Sequence, residues 1–65
     1  MKNMTDRILG IIRRYGKMTM TEIVNEINCN SAYKLDYARH VSDMANNGKL
    51  VRSWNEYGTP YYSIA

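Results

Sequence analysis

The residues best suited to chemistry lie close together in Ser31-Ala32-Tyr33-Lys34-Leu35-Asp36-Tyr37-Ala38-Arg39-His40. A guanidinium such as Arg39 can donate two parallel hydrogen bonds to O6 and N7 of guanine. Lys34 and Ser31 can bind phosphate oxygens, and Asp36 can accept from the cytosine amino group or simply orient Arg39. The same residues also suit a solvated helix face, on which Asp36 and His40 form an ordinary (i, i+4) pair. Catalysis is the least expected use. His40 is the only histidine and Cys29 the only thiol. They fall in different elements with no carboxylate pair beside them, so neither a nucleophilic triad nor a metal site is evident. Glycine-rich phosphate-loop spacing is absent too, and no cofactor is expected.

Length and composition narrow the setting. Sixty-five residues suffice for one domain spanning 1–65, and a domain this small buries barely enough apolar surface to stand alone, so dimerisation would help it. With one cysteine, no disulfide can form within the chain, which fits a reducing cytoplasm. No stretch approaches the roughly 20 apolar residues of a membrane span, and the start of the chain has no secretory pattern, so no membrane partner is expected. Nine Lys and Arg against six Asp and Glu give a net charge of +3 and a pI near 9.2. That balance is compatible with a polyanionic partner without requiring one.

The elements that must position these residues follow from periodicity and punctuation. Helix 1 is expected over about 5–15, capped by Thr5 and ended by a left-handed Gly16, with Met4, Ile8, Ile11, Ile12 and Tyr15 as its apolar stripe. Gly10 within it implies a close backbone contact or simple tolerance. Thr19 and Glu22 form a capping box for helix 2, over about 20–28, and Met18 can staple onto Ile23. Asn28-Cys29-Asn30-Ser31 reads as a turn, with Asn30 or Ser31 capping helix 3 over about 32–46. Helix 3 is expected to bury Leu35, Ala38, Val41 and Ala45, with Tyr37 and Met44 on the flank, and to end at Asn46-Asn47-Gly48. The opposite side would then carry Asp36, Arg39, His40, Asp43 and Asn47.

After Gly48 the period changes to that of strands. Leu50 to Trp54 and Tyr61 to Ile64 are rich in β-branched and aromatic residues, and Asn55-Glu56-Tyr57-Gly58-Thr59 between them reads as a hairpin loop. Pro60 belongs at an edge or a turn exit, and Lys17 to Met18 has room to add a minimal third strand. Trp54 and Tyr62 are expected to pack into the core.

Tyr37-Ala38-Arg39-His40-Val41-Ser42-Asp43-Met44-Ala45-Asn46-Asn47-Gly48-Lys49-Leu50-Val51-Arg52 resembles the bacterial and archaeal winged helix-turn-helix regulators. In that family a recognition helix ends in a glycine and leads into the first wing strand. The resemblance covers nearly the whole chain. It implies an α+β fold of three helices followed by a two-stranded β-hairpin wing over about 49–64. A narrower resemblance, to the Zα domains that bind left-handed nucleic acid, rests on Gly48-Lys49-Leu50, on Gly58-Thr59-Pro60-Tyr61-Tyr62-Ser63-Ile64-Ala65 and on Lys34. There the family's helical Asn and Tyr align to Ala38 and Ser42, Tyr62 stands for the wing tryptophan, and one of the paired prolines is missing.

The resemblance implies a double-stranded DNA-binding protein, a small transcriptional regulator of the type carried by phages or other mobile elements. Its candidate nucleic-acid contacts are Ser31, Tyr33, Lys34, Asp36, Arg39 and His40 on helix 3, and Lys49, Arg52 and Tyr57 on the wing. Arg13, Arg14 and Lys17 either touch a phosphate or simply complement the helix dipole. A homodimer using helix 1 or the aromatic wing residues would supply two half-sites. The competing expectation is a protein-binding module that docks through the tyrosine-rich hairpin.

Overall fold

The computed structural model describes residues 3–27 and 31–65, the side chain of Ser31 excepted. The expected turn through Asn28, Cys29 and Asn30, and the cap and contact assigned to Ser31, lie outside the described residues. The chain forms a small α+β unit: α1 (Met4–Tyr15), β1 (Met18–Thr19), α2 (Met20–Glu26), α3 (Ser31–Asn46), β2 (Leu50–Trp54) and β3 (Pro60–Ile64).

α1 begins earlier than expected. Asn3, not Thr5, is its N-cap, and the Asn3 side chain accepts from the Asp6 N–H at 2.9 Å. Asn ranks at least as high as Thr at that position, and the earlier start leaves the Thr5 hydroxyl for a tertiary contact. Gly16 ends the helix, its N–H donating to the Ile12 carbonyl at 2.7 Å. Its φ of 83° and ψ of −145° are a glycine conformation that turns the chain straight into β1 rather than a left-handed helical one.

Thr19 then serves two elements. Its extended backbone closes β1, and its side chain starts α2. The Thr19 N–H donates to Glu22 Oε1 at 2.8 Å and the Glu22 N–H to Thr19 Oγ1 at 3.2 Å, the reciprocal box expected from the sequence. Met18 and Ile23, the expected staple pair, both lie in the core.

The sheet has three antiparallel strands in the order β1-β3-β2, not the two of a bare hairpin. β1 pairs Met18 with Tyr62 and Thr19 with Tyr61, one residue later than the Lys17 to Met18 strand considered above. Pro60 opens the central strand. It lies beyond the reach of β1, so its missing N–H removes no β1 bond. In the hairpin, Gly58 at φ 79° donates to the Asn55 carbonyl at 3.1 Å. Asn55 Oδ1 accepts from the N–H groups of Tyr57 and Thr59, each at 2.9 Å, which pre-sets the loop.

Ile8, Ile12, Ile23 and Val41 are the most fully buried large side chains, joined in one core by Met18, Val24, Ile27, Tyr37, Met44, Leu50 and Tyr62. α3 is turned relative to the expected setting. Tyr37, Val41 and Met44 face inward, Ala38 and Ala45 pack at the margin, and Leu35 stands 61% exposed. Tyr and Met bury more apolar area than Leu and Ala at the same depth. The Tyr37 hydroxyl is not stranded by this, because Arg7 Nη1 donates to it at 3.3 Å.

Gly10 is exposed on α1, and a Cβ there would meet nothing within 4 Å. Of the two expectations, tolerance holds. Gly10→Ala should therefore raise stability by about 0.5–1 kcal/mol, seen as a melting temperature a few degrees higher.

Candidate nucleic-acid interface

With Tyr37, Val41 and Met44 inside, the outer side of α3 carries Leu35, Asp36 and Arg39 in its first half and Asp43 and Asn46 in its second, all exposed, while Tyr33 and Lys34 stand exposed at the start of the helix on the side of the core stripe, Lys34 lining a groove against α2. Of the expected contacts this face holds Asp36 and Arg39, with Tyr33 and Lys34 exposed beside it at the helix start. His40 departs from them. It is half-buried against α1, with Nε2 2.6 Å from Thr5 Oγ1, instead of lying in a solvated pair with Asp36. Turning the helix by about one residue, or about 100°, moves His40 toward α1 and brings Leu35 to the outside.

Arg52 is also less free than expected. It is half-buried opposite Tyr62 on the neighbouring strand, with its guanidinium 5.3 Å from the Tyr62 ring centroid. Nε donates to the Tyr62 hydroxyl and Nη2 to Ser42 Oγ, each at 3.3 Å. The side chain thus ties the hairpin to α3. Those two bonds occupy only part of the guanidinium fork, leaving donors for an anion.

The remaining hairpin candidates are open to solvent. Lys49 follows the glycine turn that ends α3. There Gly48, at φ 82°, donates to the Ala45 carbonyl at 3.3 Å and the Lys49 N–H to the Met44 carbonyl at 2.9 Å. This is the paired bonding of a Schellman cap. Tyr57 at the loop tip is 84% exposed.

Trp54 departs from expectation as well. It is 63% exposed, whereas Tyr62, at 4%, packs as anticipated. Strand alternation puts Leu50, Arg52 and Trp54 on one sheet face. Leu50 lies over the core, but the far end of the hairpin runs past the helices and leaves Trp54 beside Pro60 without cover.

The basic cluster at the end of α1 has aromatic neighbours. Arg14 lies 5.5 Å from the Tyr15 ring centroid and Lys17 Nζ 5.7 Å from that of Tyr61. Arg13 and Arg14 also fall in the last turn of α1, where cations complement the dipole.

Sequence reasoning missed Leu35 and Ser42. Apolar residues flank Val41 on both sides, so period alone permits two settings of α3. Tyr37 and His40 break the tie because each has a polar tip that finds a partner on α1. Among the described residues no cluster of His, Cys, Asp or Glu is placed to hold a metal ion, and no helix is long and apolar enough to cross a membrane. Comparison with protein-family models, curated proteins and solved structures finds no match to this chain.

Since Arg52 joins two elements through two hydrogen bonds and a ring contact, Arg52→Ala should cost about 1–2 kcal/mol of stability in urea unfolding. Arg52→Lys should recover less than half of that, because an ammonium cannot reproduce the planar fork.

Proposed function

We propose that this chain is a winged helix-turn-helix that binds double-stranded DNA, with the first half of α3 in the major groove and the β2–β3 hairpin as the wing on the adjacent backbone. The observation that carries this is the α3 face just described. Its first half exposes Asp36 and Arg39 on the outer side and Tyr33 and Lys34 at the helix start, while Tyr37, Val41 and Met44 are locked into the core. Arg39 reads a guanine edge, Lys34 binds phosphate, and Asp36 orients Arg39 or accepts from cytosine. Lys49 and the donors of Arg52 not held by Tyr62 and Ser42 meet the flanking backbone, and Tyr57 reaches beyond them. The order of helices and strands supports the reading, and so does the net charge of +3.

So small a unit makes few base contacts. Useful specificity then comes from a homodimer on two half-sites about one helical turn apart, as suits a small cytoplasmic transcriptional regulator. Left-handed nucleic acid is the weaker target, because Tyr62, which would make the wing contact, is buried. A second reading has an observation of its own. Exposed Trp54 and Tyr57 at the end of the hairpin suit docking on a protein partner.

Fluorescence anisotropy of a labelled mixed-sequence duplex, at about 50 mM and about 200 mM salt, tests the proposal. Micromolar binding that weakens steeply with salt is expected. Lys34→Ala should lower the slope of log K against log salt by about one, and Arg39→Ala should cost about tenfold or more on a preferred site. Absence of binding by the folded protein at low salt, together with loss of function on Trp54→Ala or Tyr57→Ala, would favour the protein partner instead.

A further inference from the structure

Leu35 is the anomaly of the α3 face. It is a large apolar side chain, 61% exposed, in the first half of the helix, where the core makes no use of it. It is flanked in the chain by Lys34 and Asp36, and Arg39 follows one turn later, all exposed. Together with Met20, Val24 and Ala38 it lines a shallow, mostly apolar groove of about 450 Å³ between α2 and α3.

We infer that Leu35 is a specificity-determining residue that reads the C5 methyl group of a thymine, beside the guanine read by Arg39. This rests on the DNA-binding reading above. Of the four bases only thymine shows a methyl group to the major groove, and an apolar side chain is what recognises it. Leu35 and Arg39 stand about 6 Å apart along the helix axis, against a rise of about 3.4 Å per base pair. The methyl group therefore belongs one or two base pairs from the guanine. An apolar segment of a protein could also enter the groove, but Lys34 and Arg39, which outweigh Asp36 in the charge around Leu35, complement the phosphates that border a DNA groove.

The test begins with selection of duplexes from a random library by the 65-residue chain. Each thymine of the selected site is then replaced singly by deoxyuridine, which removes the methyl group alone. Wild-type affinity should fall about three- to fivefold, the worth of one buried methyl group, at one or two positions near a guanine. Leu35→Ala, which leaves the core intact, should bind the thymine duplex correspondingly more weakly and lose nothing further with deoxyuridine. If no deoxyuridine alters wild-type affinity, or if Leu35→Ala stays equally sensitive to it, the methyl-reading role is overturned while the DNA-binding reading stands. If no duplex is enriched, both fall, and the groove is left to a protein segment.

Discussion

The rotational setting of α3 governs everything else in this structure. A helix of this kind shows different residues to solvent with every step of about 100°, so the choice of buried stripe decides which side chains can meet a partner. Here Tyr37, Val41 and Met44 fill the space above Ile8 and Ile12. Two polar contacts to α1 accompany this setting, from Arg7 to Tyr37 and between Thr5 and His40. α1 therefore acts as a template. Its apolar side packs on α3, and its first two turns hold the polar rim of the α3 core in register.

A second constraint fixes the hairpin relative to that helix. The paired bonds around Gly48 set the exit of the chain from α3, and Leu50, two residues on, is already buried. Arg52 then bridges to Ser42 and lies over Tyr62, which itself pairs with Met18 across the sheet. The short strand β1 thus stabilises the base of the hairpin, while its far end, with Trp54 and Tyr57, projects uncovered. In the DNA-binding reading this arrangement positions α3 and the wing before any ligand arrives, so less ordering opposes association.

Local signals in the sequence were reliable because they rest on backbone chemistry that needs no tertiary partner. Thr19 and Glu22 capped α2, Gly48 ended α3, and the loop from Asn55 to Thr59 formed where expected. What was harder to read depended on distant neighbours. Asn3, not Thr5, caps α1, and the Thr5 hydroxyl instead meets His40, a residue in another helix. The setting of α3 is ambiguous in the sequence because Leu35, Tyr37 and Met44 are all apolar, and the contacts of Tyr37 and His40 with α1 lie far away in the chain. Trp54 looked like core because it is large, yet its position at the end of β2 carried it past the last helix. The candidate site was legible to the same degree: Tyr33, Lys34, Asp36, Arg39, Lys49 and Tyr57 are outside as expected, while His40 and Arg52 have structural partners.

The central claim is that the α3 face set by Tyr37, Val41 and Met44, together with the adjoining hairpin, is the surface that meets duplex DNA. Amide and indole NMR signals of the isotope-labelled protein, followed during titration with a short duplex, test it most directly. The account predicts that the largest changes fall on Lys34, Leu35, Arg39, Lys49 and Arg52, with the Trp54 indole and the exposed side of α1 around Gly10 little affected. Changes centred on Arg13, Arg14 and Lys17, or on the α1 side of α3 around His40, would contradict it.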